Sequence, residues 1–123
     1  MPVEVCFLLA DDGTVLWTDR STSPMTLPDS RARWQAIWRY RKRLAEIAHS
    51  HPNGLLAFSA EDETTMTAID AALGRPLRYA AVTAEAMVRR HPDGATGLER
   101  EEPSWAAALR DASDLTGGKT WRF

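Results

Sequence analysis

His49 and His51 stand two residues apart, Pro52 follows directly, and Ser59 and Asp62 come seven and ten residues after the proline. On a strand, residues i and i+2 point to the same face, so the two imidazoles would stand side by side. Ser59 has the pattern of a helix N-cap, and Asp62 would then fall in the first turn of that helix. Two ring nitrogens and one carboxylate oxygen would fill three corners of a tetrahedron. The fourth corner is left for water, which is the arrangement of a catalytic zinc site rather than a structural one. A plainer reading of the same residues exists: Ser59-x-x-Asp62 is also a capping box, and His-x-His could be the polar edge of a strand. The cap and the ligand roles are compatible at one helix start.

The spacing His-x-His-Pro-x6-Ser-x2-Asp resembles the motif of the JAMM (MPN+, JAB-type) metallopeptidases and matches it at every fixed position, His49, His51, Pro52, Ser59 and Asp62. The resemblance implies one α/β domain over residues 1–123, a mixed β-sheet flanked by helices of the JAMM/MPN, cytidine-deaminase-like kind. It also implies a zinc ion held by His49, His51 and Asp62. Glu4 interrupts an apolar stretch between Val3 and Val5, where a carboxylate is costly unless it has a partner or sits at an exposed strand end. Members of the family carry a glutamate on an early strand, a few dozen residues before the histidines and often in an E-x-C-G context. Here Glu4-Val5-Cys6 is followed by Phe7, and Glu4 precedes His49 by 45 residues. The resemblance therefore gives Glu4 the part of general base. Glu46 competes for it, but three residues before His49 it faces the other side of a continuous strand and would serve only across a bulge. The family pattern is departed from at two further points. Only Met1–Val3 precede Glu4, where many members have a helix, and the C-terminal segment is a candidate to replace it; Phe58 stands where many have proline.

On this reading zinc lowers the pKa of its bound water, Glu4 shuttles the proton, and Ser59 donates its hydroxyl to the developing oxyanion. The expected reaction is hydrolysis of a peptide or isopeptide bond. The resemblance implies as substrate the C-terminal tail of a ubiquitin-like or sulfur-carrier protein, bound as an added strand. RadC-like proteins share the same core, and Asn53-Gly54 is similar to them, whereas His-Ser-His-Pro leans to the peptidase branch. The alternative is a non-catalytic MPN-like or RadC-like module. Arg31, Arg33, Arg39, Arg41, Lys42 and Arg43 place six of the fifteen basic residues in thirteen positions, which would suit a protein or nucleic-acid partner or simply a solvated helix face.

Composition sets the frame for these elements. At 123 residues, 44% hydrophobic and 26% charged, the chain fits one globular domain, and a net charge of −2 demands neither nucleic acid nor a membrane. The single cysteine, Cys6, rules out an internal disulfide and suits a reducing compartment. No signal peptide or membrane span is read at the start, and the expected location is the cytoplasm.

Apolar periodicity and turn signals predict strands over 3–10 and 14–18 around Asp11-Asp12-Gly13, and a loop over 19–29. A helix capped by Asp29 or Ser30 follows to about Arg43, with Trp34, Ile37, Trp38 and Leu44 on its buried face. Leu44–Ser50 would deliver the histidines. A helix is predicted from Ala60 to Leu73, with Met66, Ile69, Ala72 and Leu73 on its apolar side, stopped by Gly74 and Pro76. Strands over 77–83, 86–90 and 95–102 follow, His91 being a turn residue. A last helix from Pro103 or Ser104 places Trp105, Leu109 and Ala112 on one face, Gly117-Gly118 stops it, and Trp121 and Phe123 pack back.

Overall fold

The computed structural model describes residues 2–20 and 31–115. Nine elements follow in order: β1 (Val5–Ala10), β2 (Val15–Arg20), α1 (Arg31–Arg39), β3 (Leu44–Ser50), α2 (Ala60–Leu73), β4 (Arg78–Val82), β5 (Met87–Arg90), β6 (Thr96–Leu98) and α3 (Ser104–Ala112). The six strands form one mixed sheet in the order β2-β1-β3-β4-β5-β6. Only β3 and β4 run parallel, joined by the crossover through α2; the other pairs are antiparallel. Among the described residues no helix is long and apolar enough to cross a membrane.

Side-chain alternation along β1 divides the core in two. Val5, Phe7 and Leu9 pack with Trp105, Ala106 and Leu109 of α3. Cys6 and Leu8 face the other way, onto Ala36 and Ile37 of α1 and Met66 and Ile69 of α2. The sheet is thus covered on both faces, and every residue of β1 is buried. Such a strand must read as a continuous apolar run, as Val5–Ala10 does.

On β3 the same alternation sends Ile47 and His49 to the α1/α2 face and Glu46, Ala48 and Ser50 to the α3 face. The ladder with β1 skips Ala45, since Leu9 pairs with Glu46 but Ala10 with Leu44. This bulge turns Leu44, which parity would place beside Glu46, into the α1/α2 cluster instead.

Where the structure differs from the sequence reading, the cause is local. Helix α1 ends at Arg39 rather than near Arg43, in a tightened turn in which Tyr40 O accepts from both Arg43 N and Leu44 N. Carbonyls released there are taken up by Arg75, whose Nη2 donates to Arg41 O and to Leu44 O. Trp38 is 56% exposed, not buried. The inward face runs through Arg33, Ala36, Ile37 and Tyr40, which leaves Trp38 outside with the Arg41 guanidinium 4.1 Å from its ring centroid. Leu44 opens β3 as expected, with the strand bounds Leu44–Ser50. The Ala60–Leu73 helix has the expected bounds, with Gly74 at φ 71° as its C-cap, though Ala72 is exposed. The caps expected at Asp29 or Ser30, the rest of the 19–29 loop beyond Arg20, Gly117-Gly118, Trp121 and Phe123 lie outside the described residues.

Candidate metal centre

Strand β3 ends at Ser50, but the backbone keeps its direction for one more residue, because His51 N donates to Val82 O of β4 at 2.7 Å. Both imidazoles therefore remain on the α1/α2 face. Pro52, with no N–H, cannot extend the ladder. Asn53 and Gly54 then reverse the chain: Gly54 takes φ 80°, its N–H donates to His51 O, and Asn53 Oδ1 accepts from Leu55 N. That reversal returns the Leu55 carbonyl to His51, 2.7 Å from Nδ1. A carbonyl only accepts, so Nδ1 carries the proton and the Nε2 lone pair faces the cavity. A backbone carbonyl that fixes the tautomer in this way is the usual outer partner of a ligating histidine.

Asp62 arrives from α2. Ser59 caps the helix, its Oγ accepting from Asp62 N at 3.0 Å while Asp62 Oδ2 accepts from Ser59 N at 2.7 Å. The box locks the carboxylate rotamer. Two ties hold α2 to the sheet. Arg90 of β5 forms a two-pronged ion pair with Glu63 and lies 5.3 Å from the Phe58 ring centroid. Farther along, Asp70 Oδ1 accepts from the Tyr79 hydroxyl at 2.7 Å and from Leu77 N.

The result is a convergence of three donors. His49 Nε2 and His51 Nε2 are 2.8 Å apart, and Asp62 Oδ2 lies 3.4 Å from the first and 3.5 Å from the second. Among the described residues these three form the one group of histidine, cysteine or acidic side chains able to share an ion. A tetrahedral ion with bonds of about 2.0–2.1 Å sets its donors roughly 3.3 Å apart, which the two carboxylate distances match. The shorter separation of the two imidazoles is that of a hydrogen bond, in which one ring must supply a proton. A cation would replace that proton. The donor set thus fits a small divalent metal.

Electrostatics agree with the geometry. Burial raises the Asp62 carboxyl, but hydrogen bonds to His49 and His51 and the charge of His49 outweigh it and hold the group well below the ordinary carboxylate range. Burial lowers the His51 imidazole, yet the bonds to Asp62 and the Leu55 carbonyl, with the charges of Asp62 and Glu4, leave it raised above 6.5. The site therefore attracts positive charge, whether a proton or a metal.

A cavity of about 250 Å³ opens over the donors, and Glu4, Arg33, Ser59 and Tyr79 help to line it. Glu4 is brought there by register: Cys6 pairs with His49 at the last step of the ladder, and Glu4, two residues before Cys6, continues along that face. Antiparallel partners share a face. All five residues expected from the sequence, Glu4, His49, His51, Ser59 and Asp62, therefore line one cavity.

Glu46 is excluded as the base. It faces α3, is 1% exposed, and is held by Arg89 at 2.6 and 2.8 Å and by Arg78 at 3.3 Å. The bulge at Ala45 lies on its far side from His49 and does not turn it toward the histidines. Nor do the six basic residues of 31–43 form one face, since Arg33 lines the metal cavity while Arg41 stacks on Trp38. Sequence reasoning missed Arg33 in the cavity, the Leu55 carbonyl behind His51 and the Arg90–Glu63 tie. Only the Asn-Gly turn gave any sign of the second. Compared with models of known protein families and with curated protein sequences, the chain matches none.

Proposed function

We propose that the protein is a zinc-dependent metallopeptidase of the JAMM/MPN+ type that hydrolyses a peptide or isopeptide bond. The observation that carries the reading is the convergence of His49, His51 and Asp62 in a cavity that Glu4 also lines. Zinc held by these three would act as a Lewis acid on the scissile carbonyl and make water acidic enough to be deprotonated near neutral pH.

Glu4 removes a proton from the attacking water as its oxygen bonds to the carbonyl carbon. It returns that proton to the leaving nitrogen as the C–N bond breaks. The Ser59 hydroxyl accepts from Asp62 N and so keeps its own proton to donate to the carbonyl oxygen as charge develops there. His51 is fixed by Leu55 and Asp62 by Ser59, so neither ligand needs to reorganise during turnover. The substrate class is an extended peptide tail, such as the C-terminus of a ubiquitin-like or sulfur-carrier protein. An edge position supports this: among the described residues β2 ends the sheet next to β1, where an added strand finds backbone partners.

The test is metal content measured by mass spectrometry, followed by cleavage of tail peptides. Wild type should carry about one zinc per chain and His49→Ala/His51→Ala none. Glu4→Gln should keep the metal and lose turnover by a factor of ~10²–10⁴. A wild type that stays empty in excess zinc, or a Glu4→Gln variant that cleaves as fast as wild type, overturns the assignment.

A further inference from the structure

We propose that Ser50, the residue between the two histidines, is the positioning residue that holds Glu4 in the cavity. The part Glu4 plays there rests on the metallopeptidase reading above; the way it is held does not. Alternation points Ser50 away from His49 and His51, toward α3, and it is 0% exposed. Its Oγ accepts from Val5 N at 2.9 Å and donates to Val3 O at 3.3 Å. These are the backbone groups on either side of Glu4.

The β1–β3 ladder reaches its last pair at Cys6 and His49. Beyond it a single hydroxyl, using its one proton and a lone pair, takes the place of main-chain pairing. Val3 is fastened once more by its own N–H, which donates to Ser113 O at the end of α3 at 3.0 Å. Three bonds made from the α3 face thus fix the backbone around Glu4, while its side chain is left on the other face with the metal ligands. His51 has separate supports in Val82 O and Leu55 O, and His49 lies within the sheet, paired with Cys6 on one side and Ala81 on the other. Removing the Ser50 hydroxyl should therefore loosen the base without loosening the metal.

The experiment uses the full zinc-loaded chain and compares wild type with Ser50→Ala and Ser50→Thr, which keeps a hydroxyl. Val5 amide exchange should accelerate ~10-fold or more in Ser50→Ala and return toward wild type in Ser50→Thr, with Ala48 unchanged. Zinc should stay at one per chain in all three. Peptide turnover should fall by about 10²-fold in Ser50→Ala, since a small misplacement of a catalytic group costs on that order. Ser50→Ala/Glu4→Gln should be no slower than Glu4→Gln alone, a coupling that general destabilisation does not produce. Unchanged Val5 exchange, loss of zinc from Ser50→Ala, or a double variant slower by the full product of the two effects each overturns the proposal. If Ser50→Ala does not fold, Ser50→Cys is compared in the same way. If wild type cleaves no peptide, the metallopeptidase reading fails, while exchange and zinc content still decide whether Ser50 holds the Glu4 backbone.

Discussion

Strand β3 carries ionisable side chains on both of its faces, and the two sets are completed in opposite ways. On the α3 face Glu46 is almost wholly buried, and both of its oxygens are occupied by Arg89 and Arg78. Arg89 is in turn held by Glu99 and lies 5.9 Å from the Trp105 ring centroid. Both Glu46 oxygens are taken up within the protein, and no buried side-chain nitrogen or oxygen among the described residues lacks a partner. On the other face His49, His51 and Asp62 turn ring nitrogens and a carboxylate oxygen toward one another, with side chains 9–20% exposed and open to a cavity. Two ring nitrogens and a carboxylate oxygen that can share no more than a proton are an incomplete set. A buried charge with all partners present indicates structure, and a convergence of lone pairs at the edge of solvent indicates a ligand.

Exchanging the consequences of mutation between the two faces would break this contrast. Glu46→Ala removes the carboxylate shared by two part-buried guanidinium groups, leaving Arg89 with Glu99 and Arg78 with Asp11, and should destabilise the fold by about 3 kcal/mol in chemical denaturation, with zinc per folded chain unchanged. Asp62→Asn keeps an oxygen that can accept from Ser59 N, so the fold should stay within about 1 kcal/mol of wild type. Its zinc affinity, measured by chelator competition, should fall at least ~10²-fold, since even outer partners of a metal ligand are worth 10–100-fold. Metal loss from Glu46→Ala with a stable fold would dissolve the distinction.

Ser59 sharpens it, because this residue belongs to both categories. Ser59→Ala should cost about 1 kcal/mol as a lost cap and ~10²–10³ in turnover as a lost oxyanion donor. Ser59→Asn, a good cap without a hydroxyl, should recover the stability and not the turnover. Recovery of both would leave Ser59 a cap alone.

The smallest expected effect is on the pH dependence of melting. In metal-free protein the Asp62 carboxyl is lowered from 3.8 and the His51 imidazole raised from 6.5. The Asp62 contribution is present above 3.8 and lost as pH falls; that of His51 is present below 6.5 and lost as pH rises through its raised value. Metal-free protein should therefore lose stability from this pair on going from pH 6 to pH 8. Zinc competes with the proton for the same nitrogens, so zinc-loaded protein should gain over that interval. Parallel slopes for the two forms would show that the metal does not bind at His51.

The site was more legible in the sequence than were the limits of the elements that carry it. His49, His51, Ser59 and Asp62 follow from local geometry: strand parity for the pair and a capping box for the other two. Such signals are contained within a few residues. The Ala60–Leu73 helix could be read to its ends because a cap and Gly74 mark them in the sequence. Helix α1 carries no such mark at Arg39. It stops before a turn whose carbonyls, Arg41 O and Leu44 O, accept from Arg75 more than thirty residues away, and no local pattern announces that. Ser50 was readable only as a small residue between two histidines. Its bonds to Val3 and Val5 depend on the pairing of β1 with β3, which sets residues 45 and 47 positions apart in contact. Trp38 looked like core because it is large and apolar. Trp34, Ile37 and Leu44 of the expected face do reach the core, and Trp38 falls just beyond its edge.

Cys6 pairs directly with His49 and lines the same cavity, yet it is 2% exposed and its thiol is pushed up to about 12, chiefly by burial. At physiological pH it stays protonated, and a thiol without its thiolate is a poor ligand and a poor nucleophile. The centre thus offers borderline nitrogen and hard oxygen donors but no soft sulfur. Such a set would suit a metal that accepts nitrogen and oxygen better than copper(I), which seeks thiolate. The buried thiol is likewise shielded from peroxide. A sulfur atom that stays protonated thus bears on which metals the neighbouring nitrogens and oxygen would suit.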